Sequence, residues 1–335
     1  MTAFQLPDSF NSRPPQEGDI PALTKMLIET SLEISGKSDF TEKEMENFLR
    51  DPVVNPQKDL LLVFSPEGEI AGYQECVAKK KIPAYPQTFG RVPKKYRKLG
   101  IGSFMLDWAL KRARRFEKKV PQGARVAAQA VNLESWQPSK SLLDDFGFQI
   151  FRHAFVMRID MTAPPPAPKW PEGITVRQVK YPEEFEEVFK IIHEAFGDHF
   201  GAIAGSSWED DIDRFRHHWL NDRGFDPQLW YAALEGDKIV GACINRKWDW
   251  EDNHAGHVSD LGVLAPWRKR GIGMAFLQHS FGAFWERGQK SVSLDVDASN
   301  LTNAVQLYKK AGMRVFRRYD QYELELRPGK DIRKQ

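Results

Sequence analysis

The chain has 335 residues, which favours about two domains on the usual scale of about 100 to 200 residues each. Its formal net charge is only +2, so the charge balance gives no reason to expect nucleic acid or an anionic membrane as a partner. The two cysteines, Cys76 and Cys243, lie far apart in apolar runs, which argues against a disulfide or a metal site. No apolar run reaches the roughly 20 residues that span a bilayer. Together these features predict a cytoplasmic protein.

The first half of the chain begins with helical patterns, continues with strands and then reaches a long helix that opens at a pair of glycines. A strand-like segment around Gly72 is followed by the turn Arg97-Lys-Leu-Gly-Ile-Gly102 and later by Asp145-Phe-Gly-Phe-Gln-Ile-Phe-Arg152. Residues 163–172 are too rich in proline for a helix or a central strand. They predict a semi-rigid linker.

The second half repeats this order of features. Gly241 matches Gly72, the turn Arg268-Lys-Arg-Gly-Ile-Gly273 matches the first glycine turn, and Lys310-Ala-Gly-Met-Arg-Val-Phe-Arg317 matches the segment that ends at Arg152. An ordered repeat on this scale indicates a tandem duplication. The sequence therefore predicts an N-terminal domain over 1–162, the linker over 163–172 and a C-terminal domain over 173–335.

Periodicity predicts the elements of the second half. Four apolar residues recur at helical steps of three and four: Met274, Leu277, Phe281 and Phe284. Three others alternate with polar residues, as in a half-buried strand: Val292, Leu294 and Val296. A further helix over 303–310 ends at Gly312 before a last strand over 314–326. Each half is thus predicted to be an α+β domain with a mixed central sheet flanked by helices.

The turn from Arg268 to Gly273 lies between a strand-like run, 258–264, and the long helix. Unpaired N–H groups and the positive end of a helix dipole bind phosphate at such a turn, and glycine permits close approach of a pyrophosphate. The Arg268 side chain either adds charge to this site or is a solvated surface residue. A dinucleotide-binding fingerprint is the weaker interpretation, because Phe276 stands where that motif requires a third glycine.

A longer set of motifs in the same half carries a family resemblance. Asp260-Leu-Gly-Val263 precedes Pro266 and the Arg268 turn, Val296-Asp-Ala-Ser-Asn300 follows, and Ala304, Leu307, Tyr308 and Gly312 complete the order. This arrangement resembles the GNAT superfamily of acyl-CoA-dependent N-acyltransferases. It covers most of the second half and, in reduced form, most of the first. The tandem organisation is similar to that of the mycothiol synthase family, in which the C-terminal copy performs acetyl transfer.

The resemblance implies acetyl-CoA as the acyl donor, with no metal. The pyrophosphate would be held by the turn residues Arg268, Lys269, Arg270, Gly271, Ile272, Gly273 and Met274. The strand that ends at Val263 would offer backbone N–H groups to the pantetheine arm and the thioester carbonyl. Asn300 either contacts the cofactor or caps the next helix. In the first copy, Arg97, Gly100 and Gly102 keep the phosphate turn.

The same resemblance suggests catalytic groups. Tyr308 is the candidate general acid for the departing thiolate, with packing against the sheet as the alternative. The general base is His257, Asp260 or a water molecule. His257 and Asp260 are three residues apart, so in a regular strand they lie on opposite faces and only one of them faces the amine, unless a bulge intervenes.

The first copy departs from the pattern where the chemistry takes place. Leu143 occupies the position of Tyr308, counted back from Gly147 and Gly312, and the strand over 85–92 carries no acidic residue. We therefore expect a degenerate N-terminal domain and a catalytic C-terminal domain. Segment 193–219 falls where acceptor-side helices of this superfamily lie.

The predicted function is transfer of an acetyl group from acetyl-CoA to a primary amine, on a small molecule, by direct attack. The alternatives are a non-catalytic acyl-CoA-binding regulator and a protein or peptide N-acetyltransferase. The basic run Lys111-Arg-Ala-Arg-Arg115 is more typical of a solvated helix face than of a nucleic-acid site. We expect no nucleic-acid or membrane partner, and a monomer whose two domains form a pseudo-dimeric pair.

Overall fold

The computed structural model describes residues 4–38, 40–78, 81–197, 208–250, 252–298 and 304–333. The chain divides into two compact units. Unit 1 consists of Met1–Arg152 and Tyr319–Ile332, and unit 2 consists of His153–Arg318 and Arg333–Gln335. Within the described residues, no helix is both long enough and apolar enough to cross a membrane.

The secondary structure is as follows. The strands are β1 (Asn11–Arg13), β2 (Leu60–Phe64), β3 (Ile70–Val77), β4 (Gln87–Arg91), β5 (Val126–Leu133), β6 (Gln149–Asp160), β7 (Ile174–Gln178), β8 (Tyr231–Glu235), β9 (Lys238–Arg246), β10 (Ala255–Val263), β11 (Ser291–Asp297) and β12 (Arg314–Arg327). The helices are α1 (Ile20–Ser35), α2 (Glu42–Leu49), α3 (Pro56–Asp59), α4 (Ile101–Phe116), α5 (Gln137–Asp145), α6 (Phe185–Ala195), α7 (Trp208–Leu220), α8 (Ile272–Glu286) and α9 (Ala304–Lys310).

Each unit contains a mixed sheet. In unit 1 the strand order is β1-β2-β3-β4-β5-β12, with β4 and β5 parallel and the other neighbours antiparallel. In unit 2 the order is β6-β11-β10-β9-β8-β7, with β10 and β11 parallel and the other neighbours antiparallel. The predicted α+β class with a mixed sheet in each half is therefore confirmed.

The sheet of unit 2 lies between two layers of helices, because successive strand residues point to opposite faces. Beneath α8 and α9 the core includes Tyr231, Ala233, Val240, Cys243, Phe276, Phe281 and Phe284. Beneath α6 and α7 it includes Trp230, Ala232, Ile239, Ala242, Phe185, Phe189 and Trp219. The predicted alternation in β11 is confirmed, since Val292, Leu294 and Val296 all lie in the α8 core.

The last strand of each sequence repeat belongs to the sheet of the other unit. Residues 154–160 of β6 pair with β11 in unit 2, and β12 from Tyr319 onward pairs with β5 in unit 1. The edges of the compact units therefore differ from the predicted domains 1–162 and 173–335. Contacts between strands distant in sequence decide this membership, and a repeat of local motifs does not encode them.

The proline-rich segment 163–172 contains no helix or strand, which fits its composition. It is nevertheless packed against unit 2, to which it belongs. The ring of Trp170 meets the ring of Phe276 edge-on at 5.2 Å and lies 6.2 Å from His279. The segment is thus anchored by an aromatic contact at its C-terminal end.

Candidate active site

Strand β10 has two different neighbours along its length. Its register with the parallel strand β11 covers Ala255 to His257 and ends where His257 lies opposite Ser293. Its register with the antiparallel strand β9 continues to Val263. Because β10 and β11 both extend beyond the last shared pair, they separate there, and the backbone groups of β10 that face β11 have no partner in the ladder.

A β-bulge interrupts β10 within the same stretch. Val258 pairs with Asn245 and Asp260 with Ile244, so Ser259 is the extra residue. An extra residue reverses the face to which all later side chains point. It places Asp260 on the same face as His257.

The neighbours of β10 on its two faces agree with this register. On one face, Val258 and, after the bulge, Leu261 and Val263 pack in the core beneath α8. On the other face, Gly262 lies against α6, where a Cβ at this glycine would stand 2.9 Å from Ala195 and 3.0 Å from Ile192. His257 and Asp260 therefore share the α6 side of the sheet.

Asp260 lies deep in unit 2 and is still partly reached by solvent. Burial raises the pKa of its carboxyl group to about 6, while the nearby His257 acts in the opposite direction. Among the residues that the structure describes, no hydrogen-bond partner is assigned to this carboxylate. An isolated carboxylate with a raised pKa is suited to accept a proton near neutral pH.

His257 is buried and lies beside three polar side chains, two from β11 and one from the connection between β9 and β10. Its Nδ1 lies 3.0 Å from Ser293 Oγ of β11 and 3.3 Å from Asp249 Oδ2, on the connection between β9 and β10. Its Nε2 lies 3.8 Å from Asp295 Oδ2, also of β11. The Ser293 hydroxyl donates a hydrogen bond to Asp249.

Tyr308 lies on α9, on the α8 side of the sheet, and packs against the core there. Burial raises the pKa of its hydroxyl to about 12, with a smaller contribution from Cys243. Burial also raises the pKa of the Cys243 thiol to about 12, and the charge of Asp260 adds to that shift. Tyr308 and Asp260 thus both lie within electrostatic reach of Cys243.

The predicted phosphate turn begins helix α8. Gly271 is the N-cap residue in the left-handed region, with φ of 95°, and Lys269 also has a positive φ of 61°. The first helical hydrogen bond runs from the Ala275 N–H to the Gly271 carbonyl, so the three N–H groups before Ala275 have no helical acceptor. A Cβ at Gly271 would meet no atom within 4 Å, so the space above the turn is open to a ligand.

The two glycines of the turn have different roles. Gly273 faces α9, where a Cβ would stand 3.2 Å from Leu307 Cδ2. This glycine permits close packing of two helices, whereas Gly271 provides the left-handed turn. The Ile272 side chain is buried in the core beneath α8, so only its backbone can face a ligand.

The Arg268 side chain points back into the protein. Its Nε donates to the Val263 carbonyl at 3.0 Å, and a terminal nitrogen donates to the Ala195 carbonyl at 2.7 Å. The side chain therefore joins the end of β10 to the end of α6. Arg270 forms an exposed ion pair with Glu235 at 3.0 Å, and Lys269 is exposed.

Comparison with known proteins identifies the family. The profile described as the Acetyltransferase (GNAT) family matches residues 185–313, which contain the bulged strand, the turn and Tyr308. A solved GCN5-related N-acetyltransferase from Sphaerobacter thermophilus is 31% identical, with 98% of this chain and 99% of that chain covered and a TM-score of 0.78. The chain belongs to the GNAT family of acetyltransferases.

Two further matches extend over nearly the whole GNAT chain. A mycothiol acetyltransferase from Catenulispora acidiphila is 26% identical over 314 residues, which are 90% of this chain and 93% of the relative. A tandem GNAT protein from the clavulanic acid biosynthesis pathway is 13% identical, with 96% and 100% of the two chains covered and a TM-score of 0.68, and it shares the fold. The chain is an acyl-CoA-dependent N-acetyltransferase with a tandem GNAT organisation.

Unit 1 of this GNAT protein repeats the backbone of the turn. Gly100 has a φ of 84° and Lys98 a φ of 63°, and the Phe104 N–H bonds to the Gly100 carbonyl. Arg97 again donates to the backbone at the end of the preceding strand, here to the carbonyl of Val92, one residue after β4, at 3.0 Å. Its guanidinium also forms two bonds to Glu33 of α1, at 2.7 and 2.6 Å.

The groups that flank the turn differ in unit 1. Gly102 faces Leu142 at 3.3 Å as Gly273 faces Leu307, so Leu143 is the structural counterpart of Tyr308, as the sequence predicts. Counting back from Val92 and Val263 along the strands places Phe89 at the position of Asp260. At these two positions, unit 1 has neither the carboxylate nor the phenolic hydroxyl of unit 2.

Some predicted site residues lie outside the described part of the chain, and some residues of the site had no signal in the sequence. Asn300 and residues 198–207 of the predicted acceptor segment lie outside the described residues, whereas α6 reaches the site through its contact with Gly262. Sequence reasoning did not identify Asp249, Ser293 or Asp295 as site residues. The alternation of β11 placed Ser293 and Asp295 on one face, but no local signal joined Asp249 to them.

Proposed function

We propose that unit 2 transfers an acetyl group from acetyl-CoA to a primary amine of a small molecule by direct attack, with Asp260 as general base and Tyr308 beside the departing sulfur. The observation that carries this proposal is the bulge at Ser259. It brings an isolated carboxylate with a pKa of about 6 to the point where β10 and β11 separate.

The residues of the turn fit an acyl-CoA donor. Three N–H groups at the start of α8 have no helical acceptor, and the open space above Gly271 accommodates a pyrophosphate close to the backbone. Lys269 and Arg270 are exposed beside this space and add positive charge. Arg268 supports the site indirectly, because its guanidinium holds β10 and α6 together.

Asp260 has the properties of the base in this mechanism. Ionised Asp260 accepts a proton from the ammonium form of the acceptor, and the neutral amine nitrogen then attacks the thioester carbonyl carbon. The carbonyl electrons move to oxygen, where N–H groups of β10 beyond its last pair with β11 would stabilise the negative charge. When the carbonyl re-forms, the carbon–sulfur bond breaks and the sulfur leaves as a thiolate with its electron pair. The attacking nitrogen gives its second proton to this thiolate, so that the neutral amide and the CoA thiol are the products.

Tyr308 is better suited to donate a hydrogen bond than to transfer its proton completely. Its pKa of about 12 lies about 3.5 above that of a thiol near 8.5, so full transfer to a thiolate is unfavourable. Its hydroxyl has no assigned hydrogen-bond partner in the described parts of the chain and stays protonated at neutral pH. It can therefore stabilise the charge that develops on sulfur in the transition state.

The acceptor class rests on the comparison and on charge. The relative from Catenulispora acidiphila that matches 90% of this chain is named a mycothiol acetyltransferase, which favours a small molecule as acceptor. Asp260 and Asp295 point into the same side of the separated strands, and two carboxylates attract a cationic amine. We infer a small acceptor that carries a primary ammonium group.

The experiment is acetyl-CoA consumption by the full chain, measured as thiol release over a set of small amines and a set of peptides with free N-termini. The proposal predicts amine-dependent release with small amines and a product acetylated on nitrogen. Acetyl-CoA binding without turnover of any amine would favour the regulator, and turnover of peptides alone would favour a protein N-acetyltransferase. Either outcome would replace the proposal.

A further inference from the structure

The hydrogen bonds around His257 determine which ring nitrogen carries the proton. Ser293 has a single hydroxyl proton, which it donates to Asp249 Oδ2. Its oxygen then faces His257 Nδ1 as an acceptor at 3.0 Å, and the Asp249 carboxylate is a second acceptor at 3.3 Å. With two acceptors opposite it, Nδ1 must be the protonated nitrogen.

The other ring nitrogen is consequently a free base in the neutral ring. Nε2 points toward Asp295 Oδ2, 3.8 Å away, and the Asp295 side chain is 58% exposed whereas His257 is 3% exposed. A gap of this length suits a bridging water better than a direct bond. The ring therefore connects a buried region to a carboxylate that contacts solvent.

Charges from every neighbouring strand act on the ring. Asp249 reaches it from the β9–β10 connection, Asp260 from β10 and Asp295 from β11. Arg246 lies opposite His257 on β9, but its guanidinium makes two bonds to the buried Asp222, at 2.7 and 2.8 Å. Burial opposes ionisation of Asp249, but the bonds from His257 and Ser293 outweigh burial and lower its pKa.

This arrangement is not a metal site. Among the described residues, no group of three or more His, Cys, Asp or Glu side chains is placed to hold a metal ion. The Ser293 hydroxyl is also no nucleophile, since its proton is committed to a carboxylate rather than to the histidine. The cluster of His257, Ser293, Asp249 and Asp295 is instead suited to transfer protons.

Proton transfer is what Asp260 requires. If Asp260 accepts a proton in each turnover, it must lose that proton before the next, and no hydrogen-bond partner among the described residues is assigned to its half-buried carboxylate. His257 is the next residue along the same face of β10. Its ring lies beside the exposed Asp295 and therefore offers a route for that proton to solvent.

We propose that Asp249 and Ser293 are positioning residues that hold His257 with Nε2 unprotonated, and that Nε2 and Asp295 carry the proton from Asp260 to solvent. The proton leaves the Asp260 carboxyl group through a bridging water, binds Nε2 to form an imidazolium, and passes to the Asp295 carboxylate or to water, which regenerates the neutral ring. No electrons are transferred. The proton route rests on the function proposed above, whereas the state of the ring does not.

The state of the ring is tested by nitrogen NMR of the full chain labelled at histidine, with the His257 signals assigned through a His257→Gln variant. We expect a proton on Nδ1 in the wild type. In Asp249→Asn the side-chain amide can donate to Nδ1, so the proton should move to Nε2. A wild-type ring protonated on Nε2 alone would overturn the positioning role, whatever the enzyme acetylates.

The proton route is tested by the kinetics of acetyl transfer. For Asp249→Asn and Ser293→Ala we expect a fall in kcat of at least about 10-fold and an unchanged KM for acetyl-CoA. This lower bound is below the roughly 100- to 10,000-fold effect of losing a general acid or base outright, because the ring itself is retained. For His257→Ala, kcat should rise with the concentration of imidazole buffer, because a soluble base replaces the missing ring.

Asp252→Asn is the matched control, since Asp252 lies on the same connection and bonds to Arg158 at 3.0 Å. The kcat of Asp252→Asn should not depend on the concentration of imidazole buffer. Ser293→Ala provides the second test if Asp249→Asn folds poorly. Buffer-independent rates in His257→Ala, or wild-type kcat in both positioning variants, would refute the route. If the wild type acetylates no amine at all, the proposed function fails with the route, and the NMR result still decides the positioning role.

Discussion

Leu307 of α9 packs against Gly273 in the first turn of α8, and a Cβ at this glycine would stand 3.2 Å from Leu307 Cδ2. Tyr308 is the next residue of α9, so this contact sets the position of the tyrosine relative to the turn. The equivalent contact in unit 1 joins Gly102 to Leu142, at 3.3 Å, and the next residue there is Leu143.

A first prediction follows from this pair of contacts. Gly273→Ala should lower kcat about 10-fold, because Leu307 must shift by a few tenths of an ångström and carry Tyr308 with it. The effect on the free energy of unfolding should be small, since the added methyl group also favours the helix by about 0.5 to 1 kcal/mol. Gly102→Ala is the control, and equal losses of kcat in both variants would rule out this coupling.

A second prediction concerns the two glycine turns. Gly271→Glu should abolish acetyl-CoA binding measured by calorimetry, because the side chain would enter the open space above the turn with the same charge as the pyrophosphate. Gly100→Glu introduces the same charge and a similar backbone strain in unit 1, at a φ of 84° instead of 95°. Gly100→Glu should leave acetyl-CoA binding at the Gly271 turn of unit 2 unchanged. Loss of all binding with the Gly100 variant alone would place the cofactor in unit 1.

A third prediction concerns Tyr308. Tyr308→Phe keeps the ring that packs against the core and removes a hydrogen-bond donor to the departing sulfur, so kcat should fall about 100-fold while the affinity for acetyl-CoA is kept. Rates must be measured with a true acceptor under conditions where the chemical step limits turnover. Leu143→Phe in unit 1 is the matched control and should not change kcat. A rate close to that of the wild type would leave Tyr308 with a packing role only.

A fourth prediction uses the raised pKa of Asp260. The base must be ionised, so kcat/KM should fall as the pH drops through about 6 and should be flat between that value and neutrality. Asp260→Asn should lose at least about 100-fold in kcat and lose this acid limb. An acid limb retained unchanged in Asp260→Asn would assign it to another group.

Asp260 should also reduce stability at neutral pH. Its folded-state pKa of about 6 lies above the ordinary value of 3.8, so the native state binds this proton more tightly than the unfolded chain does. The protonated form of Asp260 is therefore the favourable one. Its contribution to the free energy of unfolding is fully present below about pH 4 and is lost as the pH rises through about 6. Asp260→Asn should raise the free energy of unfolding at pH 7.5 by about 1 to 2 kcal/mol. Asp252→Asn, which removes an ion pair with Arg158, should not raise the free energy of unfolding at this pH.

Several features of this protein could be predicted from sequence because local chemistry decides them. The turn at Gly271 needs a residue that tolerates a positive φ, and the apolar alternation of Val292, Leu294 and Val296 follows from the two faces of a strand. The match of Leu143 to Tyr308 also follows from sequence, since the spacing to the next glycine is kept. These signals were sufficient for the fold class, the repeat and the family.

Other features depended on contacts between segments far apart in the chain. The bulge at Ser259 is a property of the register with β9, and it alone turns Asp260 to the side of His257. Asp249 meets Ser293 only because the β9–β10 connection folds over β11. The exchange of β6 and β12 between the units likewise depends on which strand edge each one pairs with. The sequence by itself determined the fold and the chemical groups available to it, whereas strand register and loop packing, which are long-range interactions, decided which of these groups act together.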